Sequence, residues 1–157
     1  MIALLQRVLE ASVAVDGETV ARIGPGLLVL AAVERGDEAR QAERLAERIV
    51  GYRVFDDAEG RMNLSLADTG GGLLLVSQFT LAADTRKGAR PSFTPAADPE
   101  TGRALFETLL ASARRRHGLV ETGRFGSRMR VALVNDGPVT FWLRASPGGG
   151  DDRIHSV

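Results

Sequence analysis

At 157 residues, the chain has the usual length of one domain and can bury a sizeable core. Its 44% apolar and 25% charged residues are typical of a soluble globular protein, and the balance of 20 basic against 20 acidic residues excludes the basic character of proteins that wrap long nucleic acids. With no cysteine and two histidines, disulfides, thiolate catalysis and sulfur-based zinc sites are excluded, and we expect neither a metal nor a cofactor.

The first 15 residues, MIALLQRVLEASVAV, are predicted to form a strand and not a targeting segment. Apolar and polar residues alternate there, and a cleavage site of small residues is missing. The chain also lacks an apolar run long enough to cross a bilayer. We therefore expect a cytoplasmic protein that does not associate with membranes.

The predicted elements alternate between strands and helices along the chain. Strands are predicted at 2–8, 12–15, 18–23, 27–33, 52–55, 73–79, 119–122, 129–134 and 139–143. Asp37 is predicted to cap a first helix that Gly51 ends. Asp98 followed by Pro99 predicts the start of a second helix, which Gly118 ends.

This order of elements predicts an α/β protein with a single domain. Strands that are mostly joined by hairpins, together with two main helices, favour a curved or barrel-like mixed β-sheet. The domain is predicted to cover residues 1–144. Residues 145–157 are rich in glycine and polar side chains, and we expect a disordered tail there.

The stretch SQFTLAAD, from Ser77 onward, places polar residues at the end of an apolar strand. In a continuing strand, Ser77 and Phe79 would face one side while Gln78 and Thr80 face the other. Three interpretations stay open: a hydroxyl nucleophile, hydroxyls that satisfy nearby backbone groups, or exposed backbone N–H groups that bind an oxyanion or carbonyl. A nucleophile requires a base, and His117 in a charged helix end has no evident orienting partner.

Basic residues cluster in three places although the net charge is zero. These are Arg86, Lys87 and Arg90 in DTRKGARPSF, the run 114–116 at the end of the second helix, and Arg124, Arg128 and Arg130. The helix dipole accounts for the run without a ligand. The loop that holds Arg86, Lys87 and Arg90 follows the polar strand end directly, and we expect it to bind phosphate.

Turn-forming residues interrupt the stretch VNDGPVTFW near the end of the chain. The pattern of two strand-like runs separated by Asn-Asp-Gly-Pro is typical of a hairpin. Gly137 and Pro138 at its tip either turn the chain or present their backbone to another group.

Two of these strings together closely resemble the paired signatures of the D-aminoacyl-tRNA deacylase family. They are SQFTL at 77–81 and NDGPVT at 135–140. Further matching runs are QRV at 6–8, GRMNLSL at 60–66, RPSF at 90–93 and TGRFG at 122–126. The resemblance covers residues 1–144, and it implies the deacylase fold and an esterase acting on D-aminoacyl-tRNA.

The resemblance implies a homodimer with a chiral gate built from backbone. The Gly137-Pro138 bond would be cis, and each subunit would present this pair to the active site of its partner. The carbonyl oxygens of Gly137 and Pro138 would bind the α-amino group of the substrate, so that an L side chain collides with the backbone while a D side chain points outward. Glycine would also pass. Arg7 resembles the arginine that braces the pair.

The resemblance also implies the roles of the polar strand end. Ser77, Gln78, Phe79 and Thr80 would bind the ester and the terminal adenosine of the tRNA acceptor end. The backbone N–H of Phe79 would polarise the carbonyl, and the 2′-hydroxyl of the adenosine would assist attack by water. Two alternatives remain, a nucleic-acid-binding module without catalysis and a conventional serine or threonine hydrolase.

Overall fold

The computed structural model describes residues 1–147 and a short strand at 155–156. In the described part, the strands are β1 Ile2–Val15, β2 Glu18–Ile23, β3 Gly26–Ala32, β4 Phe55–Asp56, β5 Met62–Leu64, β6 Gly72–Ser77, β7 Val120–Thr122, β8 Arg130–Arg144 and β9 His155–Ser156. The helices are α1 Ala39–Gly51, α2 Leu66–Thr69 and α3 Pro99–Arg116, with a 3-10 helix at Phe79–Ala82.

One mixed sheet of seven strands organises the fold, in the order β7-β6-β3-β1-β8-β9 with β2 beside β1. The long strand β1 pairs antiparallel with β3 through its first half and with β2 through its second half. Its other edge pairs with β8. The parallel strands β3, β6 and β7 extend the sheet, while β4 and β5 form a separate hairpin. The predicted α/β class and barrel-like mixed sheet are confirmed.

The core lies between the sheet and the two long helices. Leu5, Leu27 and Leu73 of neighbouring strands pack in one cluster with Leu45 of α1 and Leu109 of α3, and all five are fully buried. The opposite faces of β3 and β6 pack against β2 in a second cluster. Strands β3 and β6 are therefore buried on both faces, which explains their uninterrupted apolar sequences. Complete burial of each leucine side chain contributes about 1.5–3 kcal/mol to folding.

The first helix starts one residue later than predicted, because Asp37 has another partner. Its Oδ1 accepts a 2.7 Å hydrogen bond from the α-ammonium group of Met1, and its Oδ2 accepts one of 2.7 Å from the N–H of Glu34. Glu38 occupies the N-cap instead, and its N–H donates to the side chain of Gln41 at 2.9 Å. The predicted start of the second helix is correct, since the Asp98 carboxylate accepts from the N–H groups of residues 100 and 101.

The tail predicted at 145–157 lies largely outside the described residues. Ala145 is within them, and its N–H donates to the carbonyl of Met1 at 2.9 Å. The boundary at residue 144 and the expectation of disorder beyond it remain predictions. Among the described residues, no helix combines the length and the apolar composition that crossing a membrane requires.

Candidate active site

The polar strand end turns into a 3-10 helix immediately after β6. Ser77 is the last residue of β6, and the N–H of Gln78 donates to the carbonyl of Ala31 on β3 at 2.7 Å. The expectation that strand alternation continues through Thr80 is therefore wrong. The first bond of the 3-10 helix joins Leu81 N–H to the Gln78 carbonyl at 3.2 Å. The N–H of Phe79 precedes this bond and has no acceptor among the described residues.

The hydroxyl groups at this strand end contact no general base. Gln78 Nε2 donates to Thr80 Oγ1 at 2.6 Å, and within residues 1–147 no histidine, lysine or carboxylate hydrogen-bonds to Ser77 or Thr80. A ring nitrogen of His117 lies 2.6 Å from the carbonyl of Gly71, where the ring joins the end of α3 to the start of β6. This geometry disfavours a Ser-His or Thr-His nucleophile.

An aromatic cavity of about 610 Å³ opens beside the strand end. Ser77, Gln78 and Phe79 line it on one side. Phe79 packs edge-to-face on Phe93 with ring centroids 5.1 Å apart, although these side chains are 59% and 41% exposed. Phe125 from the loop before β8 forms another wall. Exposed aromatic rings around a cavity of this size suit the stacking of a nucleobase.

Phe93 and Phe125 are the aromatic walls that the sequence patterns did not assign, whereas Phe79 was among the predicted site residues. Phe93 lies in the run RPSF and Phe125 in TGRFG, and both runs contribute to the resemblance. A single aromatic residue among polar residues and glycines was the available signal. It could not show that loops far apart in the chain meet at one cavity.

The Gly-Pro pair lies in a bulge of β8 and not at the tip of a hairpin. The runs on both sides of it pair with the same strand, with Gln6 opposite Thr140 and Val8 opposite Asn135. Residues 136–139 therefore oppose the single residue Arg7 and are displaced from the ladder. The Gly137-Pro138 bond is cis, as the resemblance implies.

Gly137 has no space for a side chain. Its φ is 126°, which L residues rarely adopt. A Cβ atom would lie 2.6 Å from Val139 Cγ2 and 3.0 Å from Val139 N. Glycine is therefore required by the backbone conformation and by the space around it.

Arg7 and Asn135 fix the two ends of this bulge. The guanidinium of Arg7, which is 9% exposed, donates to the carbonyl of Val54 at 2.8 Å and pairs with the carboxylate of Asp136 at 3.2 Å. Asn135 Nδ2 donates to the carbonyls of Arg7 at 2.8 Å and Val139 at 3.1 Å. Arg7 thus contacts the residue before Gly137, and Asn135 is a bracing residue that the sequence patterns did not single out.

The bulge and the aromatic cavity are separate within one chain. Gly137 and Pro138 do not line the cavity, whereas Arg7 and Asp136 line a smaller cleft of about 320 Å³. Along the sheet, Ser77 pairs with Ala31, which pairs with Ala3. Ala3 lies four residues from Arg7 on β1, so the two features lie at different levels of the sheet and three strands apart in strand order.

The basic loop runs from Asp84 to Ser92, between residues 77–79 and Phe93, which line the same cavity. Its base is closed by two hydrogen bonds between the backbones of Asp84 and Ser92, of 2.8 and 3.0 Å. Arg86 forms a bidentate pair with Asp84, at 2.9 and 2.7 Å, and its hydrogen bonds hold the pKa of the Asp84 carboxyl well below its usual range. Lys87 and Arg90 are exposed and have no carboxylate partner among the described residues.

Three kinds of comparison relate the chain to known proteins. The family model described as D-Tyr-tRNA(Tyr) deacylase matches residues 4–144. The chain is 70% identical over 147 residues to the D-aminoacyl-tRNA deacylase of Methylococcus capsulatus, covering 94% of this chain and 96% of that protein. It is 69% identical over 147 residues to the D-aminoacyl-tRNA deacylase of Thioalkalivibrio sulfidiphilus, covering 94% and 99% of the two chains.

Two solved structures share the fold. One is described as c-Myc DNA Unwinding Element Binding Protein, with a TM-score of 0.89, 37% identity and coverage of 94% of this chain and 100% of that one. The other is described as a probable eukaryotic D-amino acid tRNA deacylase, with a TM-score of 0.77, 18% identity and coverage of 90% and 97%. The match over residues 4–144 and the long bacterial relatives place the chain in the D-Tyr-tRNA(Tyr) deacylase family.

Proposed function

We propose that the protein hydrolyses the ester bond of D-aminoacyl-tRNA, releasing the D-amino acid and tRNA. The observation that carries the proposal is the aromatic cavity beside the free Phe79 N–H, in a chain that is 70% identical to a D-aminoacyl-tRNA deacylase. The substrate places the reaction in the cytoplasm, where aminoacyl-tRNA is used.

In the proposed mechanism, the cavity holds the terminal adenosine and presents its ester at the strand end. The base stacks on the exposed ring of Phe79, which Phe93 supports edge-on, and the Phe79 N–H donates to the carbonyl oxygen as negative charge develops there. Water attacks the ester carbon with help from the adenosine 2′-hydroxyl. Since no described side chain acts as a base on Ser77 or Thr80, this RNA-assisted route fits the site better than a hydroxyl nucleophile.

We further propose that the chiral gate comes from a second copy of the chain. The α-ammonium group and the ester carbonyl of the substrate are two bonds apart. Gly137 and Pro138 do not line the cavity that Ser77 lines, and the described hydrogen bonds of the bulge reach no residue of the strand end, which favours a gate supplied by another copy. Two copies of the chain can instead associate so that the bulge of one lies beside the strand end of the other.

The surface between the two features is suited to contact with that copy. Val131, Leu133 and Val134 are 36%, 37% and 46% exposed on a segment of β8 whose outer edge is unpaired among the described residues. Leu9 on β1, 52% exposed, lies between the residues that pair with Val134 and Asn135. An exposed apolar edge strand is typical of an interface, and a two-fold interface would complete both sites at once.

The gate would exclude L substrates by collision of their side chain with the Gly137 and Pro138 backbone. Glycine lacks that side chain, so we expect glycyl-tRNA to be hydrolysed as well. Arg7 and Asn135 would keep the bulge in place while it binds the ammonium group. The exposed Lys87 and Arg90, with Arg86 held by Asp84, would contact phosphates of the acceptor end.

The activity is tested by incubating the purified protein with D-tyrosyl-tRNA, L-tyrosyl-tRNA and glycyl-tRNA in the presence of a chelator. We expect release of D-tyrosine and glycine and retention of L-tyrosine. Hydrolysis of neither tyrosyl-tRNA would refute the proposal. Equal hydrolysis of both would refute the gate while leaving an esterase.

The shared site is tested by mixing two defective variants. Gly137→Ala alters the gate, and Phe79→Pro removes the N–H at the strand end while leaving the gate intact. Each site would use a gate from one subunit and a strand end from the other. After subunit exchange, about half of the dimers are mixed, and each mixed dimer has one intact site, so about a quarter of the wild-type sites are regained. A site contained in one chain would regain none.

A second candidate function is nucleic-acid binding without turnover. The observation that favours it is the 37% identity to the structure described as a DNA unwinding element binding protein. Tight binding of duplex DNA with a steep salt dependence, in a protein that hydrolyses no aminoacyl-tRNA, would support this candidate.

A further inference from the structure

A group of arginines that the proposed function leaves without a role lies next to residues that line the aromatic cavity. Residues 124–127 form a tight turn in which the N–H of Ser127 donates to the carbonyl of Arg124 at 3.2 Å. Phe125, Gly126 and Ser127 of this turn line the cavity. Arg124 and Arg128 flank the lining residues on both sides, and both are exposed.

A third cation reaches the same turn from α3. The guanidinium of Arg103 lies over the ring of Phe125, 4.8 Å from its centroid. A Cβ atom built on Gly126 would lie 3.5 Å from Arg103 Nη2. The ring therefore holds this exposed guanidinium at the margin of the cavity.

The three arginines of this margin outnumber the single acidic residue, Asp98, among the residues that line the cavity. None of Arg103, Arg124 and Arg128 pairs with a carboxylate among the described residues, and the chain has no acidic residue between Glu121 and Asp136. Because the whole protein has 20 basic and 20 acidic residues, this positive margin is a local feature. Unpaired cations beside a nucleoside-sized aromatic cavity suit a polyanion that continues outward from the bound base.

Arg130 does not belong to this group. Val131 lines the cavity, and adjacent residues of a strand face opposite sides. Arg130 therefore faces away from the cavity.

We propose that Arg103, Arg124 and Arg128 bind the phosphates of the nucleotides that precede the terminal adenosine of the RNA substrate. This inference rests on the proposed function, and it assigns the direction in which the acceptor strand leaves the cavity: across the turn at 124–127. The three arginines act on the affinity for the RNA strand and do not contact the ester.

The test variant is Arg124→Gln with Arg128→Gln, since both side chains are exposed and their loss leaves the core intact. The matched control is Arg114→Gln with Arg115→Gln, which removes the same charge. Arg114 lies on α3 eight residues beyond Phe106, the last residue of this helix that lines the cavity, or about 12 Å along the helix axis. Arg103→Gln is a single variant at the third position.

The first measurement is binding of uncharged tRNA by fluorescence anisotropy at several salt concentrations. Because the test variant lacks two cations that pair with phosphates, we expect its affinity at low salt to fall about tenfold, and the slope of log K against log salt to become shallower by about 1.4. The control should keep the wild-type slope. An unchanged slope in the test variant, or an equal change in the control, would overturn the inference.

The second measurement is hydrolysis of 3′-(D-tyrosyl)adenosine, which contains the ester and the terminal nucleoside without the preceding phosphates. We expect the test variant to hydrolyse this substrate like the wild type, while KM for D-tyrosyl-tRNA rises and kcat is unchanged. An equal loss on both substrates would place the arginines in the ester site and overturn the inference. Inactivity of the wild type on both substrates would instead refute the proposed function, and the binding slopes would still decide whether the arginines bind phosphate.

Discussion

Substitution of Gly137 by alanine tests whether the shape of the β8 bulge controls activity. The added Cβ meets two constraints: a φ of 126° and contacts of 2.6 Å with Val139 Cγ2 and 3.0 Å with Val139 N. The unfavourable φ costs about 1–3 kcal/mol. The contacts add about 1–3 kcal/mol more, because Val139 is buried and β-branched and cannot rotate away freely.

Relief of these contacts requires the bulge to move by several tenths of an ångström. A cost of about 2–6 kcal/mol leaves most proteins of this size folded, since their stability is about 5–15 kcal/mol. A displacement approaching 1 Å in a group that positions substrate lowers the rate by up to about 10²-fold. We therefore expect kcat/KM for D-tyrosyl-tRNA to fall between about tenfold and 100-fold in a folded variant.

The control is Gly17→Ala in the turn between β1 and β2. Gly17 has a φ of 86°, and a Cβ there meets nothing within 4 Å, so this variant has the backbone strain without the collision. Urea unfolding should show a smaller loss of stability than for Gly137→Ala, and deacylation should stay at the wild-type level. Wild-type kcat/KM in folded Gly137→Ala would refute the role given to the bulge.

Three further predictions concern the hydroxyl, the buried ion pair and the helix cap. Thr80→Val should lower kcat in single-turnover deacylation by less than about tenfold, whereas loss of a nucleophile costs about 10⁴-fold. Asp37→Asn should lower the free energy of unfolding by about 3 kcal/mol, because the buried Met1 ammonium loses its nearer counter-ion, at 2.7 Å, and keeps only Glu34 at 3.6 Å; an unchanged urea midpoint would contradict this. Hydrogen bonds, first from the Thr101 N–H, lower the pKa of Asp98 from its ordinary 3.8. The stability that the ionised Asp98 carboxylate contributes is therefore fully present above pH 3.8. The difference in Tm between the wild type and Asp98→Ala should shrink as the pH falls through the lowered pKa of Asp98.

Local patterns in the sequence were sufficient to predict the structural features that depend only on residues close together in the chain. The turn at Asp16-Gly17, the start of α3 at Asp98 and the strands buried on both faces follow from turn chemistry, capping and uninterrupted apolar runs. Each of these features requires only residues that are adjacent in the chain.

The predictions that were wrong, and the features that were missed, depend on residues that are far apart in the sequence. Asp37 has the side chain of a helix cap, but the Met1 ammonium, 36 residues away, binds its carboxylate. Asn-Asp-Gly-Pro is equally compatible with a hairpin and with a bulge, and only the pairing of both flanks with β1 decides between them. Phe79, Phe93 and Phe125 form one cavity because three separate segments meet there.

In the proposed site, the bulge and the cavity are separate structures, so substitutions in each should have different effects on hydrolysis. The bulge is fixed by Arg7 and Asn135 on β1 and β8, whereas the strand end is fixed by the pairing of β6 with β3. No described hydrogen bond joins the two, so a change in one half leaves the geometry of the other intact. Changes in the bulge should therefore alter the ratio of D to L hydrolysis, while changes at the strand end should slow D-tyrosyl-tRNA and glycyl-tRNA together. A single conventional esterase pocket would not separate selectivity from rate in this way, because the same residues would set both.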